Sequence, residues 1–163
     1  MLLDPAYAAT QNPKVFATSV LALHRQLTGP SAFGRAQLPW PRALGTPPWA
    51  VARAMTSFTG RRHRTRTVRL GGRSATFAEV AAAVGEGHPV PIYVGSTWLP
   101  RHVVLAVAPT SDGVDVYNPS QGAIAELTRA AFEAGALTTF GRWTTPWFTV
   151  PPTGRVRGHL PAR

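Results

Sequence analysis

Apolar positions recur at helical spacing early in the chain and at strand spacing late in it. Between Lys14 and Leu27, Val15, Thr18, Leu21, Ala22 and Leu27 fall on one helical face, opened by Asn12-Pro13 and closed by Gly29-Pro30. Pro30, Pro39, Pro41, Pro47 and Pro48 with Trp40 then predict an irregular but packed connection over residues 30–48, followed by a helix from Pro48 to Phe58 with proline in its first turn. Val68 to Leu70 reads as a short strand before a Gly71-Gly72 turn. Thr76 and Glu79 stand at capping-box spacing and predict a helix through Val84, ended by Gly85 and Gly87.

Beyond Gly87 the period shortens. Pro89–Val94, His102–Ala108 and Val114–Tyr117 read as strands, the last two joined by an Asp112-Gly113 hairpin turn. A helix over Thr128–Ala134 and a strand over Trp147–Val150 complete the series. Helices first and an antiparallel sheet afterwards predict an α+β fold. At 163 residues, 44% of them apolar, the chain is expected to form one domain over residues 1–150, with a loose Pro- and Arg-rich tail over 151–163.

No apolar run approaches the length of a membrane span, and the N-terminus lacks a basic-then-apolar signal pattern. No membrane association is expected, and the location is cytoplasmic or reached by a route independent of a signal peptide. The net charge of +10 comes almost wholly from arginine, with Lys14 the one lysine. The densest basic stretch, Arg61 to Arg69, alternates from Arg64 as the solvated face of a strand would. It also offers a surface to an acidic protein partner, such as an immunity protein. It carries no interleaved aromatics for base stacking, which argues against nucleic acid.

The chain has no cysteine, which excludes disulfides and thiolate metal sites. His24, His63, His88, His102 and His159 form no metal-ligand spacing, so neither metal nor cofactor is expected. His24 falls in the first helix, His88 precedes a proline in a turn, and His63 and His159 lie in basic stretches that read as exposed.

The segment "GHPVPIYVGSTWLPRHVVLAVAPTSDGVDVYNPSQGAIAELTRAAF" has a Gly-X-Pro-Val strand, a histidine opening a run of valines, a turn, and Asn118-Pro119 closing the next strand. It resembles the bacteriocin-leader-peptidase branch of the papain-like cysteine peptidases, most closely over residues 86–135. A histidine and an amide acceptor on neighbouring antiparallel strands can face each other, and the acceptor then fixes the tautomer that leaves the other nitrogen as a base. Taken singly, His102 reads more readily as an ordinary core or surface histidine, and Asn118 as a turn starter.

The resemblance implies a papain-like fold, with N-terminal helices packed on a C-terminal antiparallel sheet. It also implies a nucleophilic cysteine at the start of the first core helix and a glutamine six residues earlier that donates to the oxyanion. Gln11 plus six is Ala17, so the nucleophile position holds alanine; a second register, set by "FATSVL", places it at Phe16. Ala17 corresponds to an enzyme disarmed by a Cys-to-Ala change, and Phe16 to a natural pseudoenzyme whose ring fills the cleft. Gln11 on its own reads equally as a solvated turn residue. Thr18 and Ser19 are out of register, and hydroxyls are much weaker acids than thiols.

The chain is therefore expected to be a thiol-hydrolase domain, a peptidase or amidase for a peptide or protein substrate, inactive as written. A bacterial effector or toxin would have this compact basic form. The alternatives are a pseudoenzyme that binds peptides or proteins, whose cleft Trp40, Trp49, Trp98, Trp143 and Trp147 could line, and a basic nucleic-acid binder.

Overall fold

The computed structural model describes residues 25–32, 35–37, 40 and 45–153. Residues 25–28 are helical, at the end of the first predicted helix; the rest of that helix, with Gln11, Phe16, Ala17 and His24, lies outside the described residues, as do His159 and residues 154–163 of the expected tail.

Two short strands, β1 (Ser31–Ala32) and β2 (Arg35–Ala36), pair within the stretch expected to be irregular. Helix α1 (Pro48–Thr59) begins on proline as predicted and ends on Gly60 in the left-handed conformation. The next strand is β3 (Arg66–Thr67), just before the predicted Val68–Leu70; Val68 is instead a buried core residue.

Helix α2 (Arg73–Gly85) starts three residues before the expected cap, directly from left-handed Gly72. Thr76 is therefore buried inside the first turns and the capping box does not form. Glu79 is taken by two guanidiniums, Arg64 at 2.8 Å and Arg66 at 3.1 Å. Charge-assisted bonds of that kind are stronger than the single backbone N–H a capping box would offer the carboxylate.

The remaining elements are β4 (Val90–Gly95), β5 (Pro100–Pro109), β6 (Gly113–Asn118), β7 (Ala123–Thr128), α3 (Arg129–Ala134) and β8 (Thr145–Thr149). All but β7 match predicted elements to within about two residues at each end. β7 escaped prediction because its residues are mostly exposed or half-buried, as suits an outer strand. The six-stranded sheet has the order β3-β8-β4-β5-β6-β7 with every pair antiparallel. The fold is mixed α+β, with α2 and α3 inserted between strands of the six-stranded sheet instead of preceding it.

β4 is buried along its whole length and alternates between two cores. Val90, Ile92 and Val94 face α2 and α3, where Val104, Ala106, Val114 and Val116 join Phe77, Val80 and Phe132 in the main cluster. Tyr93 faces the other way, in a smaller cluster with Ala52 of α1 and Val150, and its hydroxyl donates to the carbonyl of Thr46 at 2.9 Å. The β4–β5 hairpin is tight because Gly95 has no side chain: a Cβ there would collide with the carbonyl of Leu99.

Pro151 to Thr153 are tied to the body. Arg64 N–H donates to Pro151 O at 3.2 Å, Thr153 N–H donates to Arg62 O at 2.6 Å, and His63 bridges Pro152. Among the described residues no helix is long and apolar enough to cross a membrane.

Candidate functional site

The site forms where two rows of buried valines run out. On β5, His102 precedes Val104 and Ala106 on the same face and stands opposite Val94 of β4. On β6, Asn118 continues the row of Val114 and Val116 and is 3% exposed. The strand register pairs Leu105 with Tyr117 and Ala106 with Val116. One step further it sets Asn118 against Val104, which makes His102 its diagonal neighbour on that face, within reach of a long side chain.

The two side chains meet: His102 Nε2 lies 2.7 Å from Asn118 Oδ1. The surrounding bonds determine which atom donates. Ser120 gives Asn118 Oδ1 its backbone N–H at 3.2 Å and its hydroxyl at 2.8 Å, while Asn118 Nδ2 donates to Gln121 Oε1 at 2.9 Å. A backbone N–H can only donate, so the atom it reaches is the amide oxygen. His102 Nε2 must then carry the proton, and the lone pair of the neutral ring sits on Nδ1.

Trp143 stacks on the imidazole, with ring centroids 4.4 Å apart and planes inclined by 22°. It reaches this position from the stretch between α3 and β8, anchored by its N–H to Phe140 O at 3.2 Å. Burial lowers the His102 pKa from its usual value; the Asn118 hydrogen bond acts in the opposite direction but is the smaller influence. The ring is accordingly neutral near pH 7 and available as a proton acceptor.

The structure thus brings together His102 and Asn118, which the sequence singled out, and adds three residues whose roles it did not. Ser120 and Gln121 hold the Asn118 amide from within the turn that follows, where the N–H groups of Gln121 and Gly122 both donate to Asn118 O. The Asn-Pro-Ser sequence carried a signal for this, since asparagine side chains commonly accept from the N–H two residues on. Trp143 had no local signal. Gln11, Ala17 and Phe16 lie outside the described residues, so their relation to His102 is not part of this geometry.

The five tryptophans do not line one cleft. Trp143 covers His102, and Trp40 and Trp49 pack edge to face at 5.0 Å beside a small cluster near residue 27. Trp147 donates from Nε1 to Ser96 O at 2.8 Å, and Trp98 is 83% exposed at the β4–β5 turn.

The basic stretch largely turns back onto the protein. Arg64 and Arg66 hold Glu79, and Arg69 donates to Thr97 O from Nε and Nη2 at 3.3 and 3.1 Å while lying over the Trp147 ring. His63, expected to be exposed, is only 7% exposed. Its burial follows from the pairing of residues 62–64 with 151–153.

Three clefts of about 650, 870 and 510 Å³ open elsewhere on the described surface, none lined by His102, Asn118 or Trp143. Among the described residues no group of three or more His, Asp or Glu is placed to hold a metal ion. No family model, curated protein or solved structure matches the chain.

Proposed function

We propose that the chain is a papain-like thiol-hydrolase domain of peptidase or amidase type, without its nucleophile as written. The observation that carries this reading is the 2.7 Å contact from His102 Nε2 to Asn118 Oδ1, in which Ser120 fixes the amide and so leaves the lone pair on Nδ1. That is the arrangement a thiol needs from its base: one nitrogen oriented by an acceptor, the other free to take the proton. The α+β architecture, with both residues on an antiparallel sheet, is compatible with a papain-like fold.

In the complete reaction a thiolate at position 17 attacks the substrate carbonyl after Nδ1 of His102 has taken the thiol proton. The imidazolium returns that proton to the leaving amine, and water then repeats the sequence to release the acyl group. Gln11 and the N–H of residue 17 would hold the oxyanion. Asn118 is a positioning residue, and the Trp143 ring shields the imidazole from water. A peptide or protein is the substrate class, and an effector or toxin role in a bacterium suits it.

A second reading, a pseudoenzyme that binds a peptide or protein at the same place, draws on exposed apolar side chains. Trp98 and Leu99 stand at the tip of the β4–β5 hairpin, a few residues from His102, and Leu70 is 90% exposed in the turn that Arg69 ties to that tip.

The two readings separate on thiol chemistry. Ala17→Cys and, separately, Phe16→Cys are alkylated across a pH series, each with and without His102→Ala. The hydrolase reading expects Ala17→Cys to react well below the ordinary thiol pKa of about 8.5 and to lose that reactivity with His102→Ala. Ordinary thiols at both positions would overturn it in favour of the binding module.

A further inference from the structure

The outer side of α1 and residues 60–65 enclose a cleft of about 870 Å³, lined by Trp49, Arg53, Ser57, Arg62, His63 and Arg64 among others. Among the described residues no carboxylate lines it, and Glu79, which holds Arg64, is not part of its lining. The closest acceptors to Arg53 are Ala36 O at 3.4 Å and Gln37 Oε1 at 3.5 Å, the outer limit of a hydrogen bond.

His63 supplies a second, independent observation. Its N–H is held by Thr56 Oγ1 at 2.9 Å, and its ring Nδ1–H donates to Arg61 O at 2.8 Å. The ring is thereby fixed as the Nδ1–H form, yet Nε2 is buried with no partner among the described residues. A buried polar atom without a partner, beside guanidiniums with no carboxylate among the described residues of the cleft, is the setting in which a water or ion commonly completes the hydrogen bonding.

We infer that this cleft binds a phosphate monoester, with its oxygens on the guanidiniums of Arg53 and Arg62 and its organic group against Trp49. A phosphate suits the surroundings better than a carboxylate because it presents three acceptor oxygens to donors on both walls, α1 and the 60–65 segment. The same cleft acts on His63 through charge. Burial, the largest influence, holds its pKa below the usual value, with the positive charges of His88 and Arg61 adding to it, against the hydrogen bond to the Arg61 carbonyl, which raises it. A bound dianion offsets that positive field and favours the imidazolium, which would give Nε2 a proton to donate. Occupancy and proton uptake at His63 are therefore linked.

The test titrates the full chain with phenyl phosphate, inorganic phosphate and succinate at constant ionic strength, following the His63 ring and arginine Nε signals by NMR. Phenyl phosphate is expected to saturate by about 10 mM and to raise the His63 pKa. Arg53→Ala with Arg62→Ala should weaken it at least about tenfold. His63→Gln should abolish the proton uptake and with it the strengthening of phenyl phosphate binding on acidification. Tighter binding of succinate would assign the cleft to acidic side chains of a protein partner and overturn the phosphate assignment. Absence of saturation, or unchanged affinity in a folded double-arginine variant, would overturn the site itself.

Discussion

His63 is buried and His102 half-buried, and burial lowers both pKa values. They are held by opposite nitrogens. At His102 a side-chain amide takes the proton of Nε2, and that amide is itself held by Ser120 and Gln121, so the ring, its acceptor and the acceptor's supports form one connected network. At His63 a backbone carbonyl takes the proton of Nδ1, and Nε2 is left buried without a partner among the described residues. A backbone carbonyl orients a ring as a consequence of the local chain path, whereas a supported amide orients it at a chosen point on a sheet. The amide arrangement at His102 suits a reacting base; the carbonyl arrangement at His63 leaves Nε2 without a partner among the described residues.

The largest effect should come from the core beneath the His102 row. Phe132 is fully buried and packs on Phe77 at 5.3 Å between ring centroids. Phe132→Ala should cost about 3–5 kcal/mol in urea unfolding and loosen His102 and His63 together if one cooperative unit carries both. Hydrogen exchange that opens the segment around His63 first would split the comparison into two separately stable regions.

A smaller change acts on one histidine alone. Asn118→Ala should cost about 1–3 kcal/mol, because it leaves buried donors unmet. Asn118→Asp places a negative charge on Nε2 and should raise the His102 pKa, read by NMR titration, while the His63 titration stays put. The matching change on the other side, Thr56→Val, removes the acceptor for the His63 N–H and should cost about 1 kcal/mol. It should leave the His102 titration unmoved. Movement of both titrations in any of these variants would show that the two sites are coupled.

The least conspicuous effect is that of pH. Both histidines bind a proton less readily in the folded chain than in the unfolded one, whose histidines titrate near the ordinary value of 6.5. The unfolded state therefore takes up more protons as pH falls. The stability these rings contribute is complete above about pH 6.5 and is lost as pH drops through that value toward their folded pKa values. Urea midpoints should fall on acidification over this window, and fall less in His102→Gln and His63→Gln; a midpoint that rises on acidification would contradict the sign for both.

What the sequence determined by itself was largely local. Pro48 and Gly60 bound α1, the Asp112-Gly113 turn sets the β5–β6 hairpin, and the alternating valines placed His102 and Asn118 on neighbouring strands. Once a hairpin's register is given, two residues near its open end must meet on one face or miss by a full pleat, so this pair was legible. The sheet order was not, because β8 inserts between β3 and β4 from far along the chain.

Only the tertiary structure decided the rest, since each outcome was a competition between distant groups. Glu79 left a helix cap for two arginines more than ten residues away, Trp143 found the His102 ring from beyond α3, and His63 went inside because residues 151–153 closed over its segment. A local pattern specifies what a side chain could do with its neighbours in sequence. Charge-assisted bonds, ring stacking and strand pairing reach across space and, where stronger, override it.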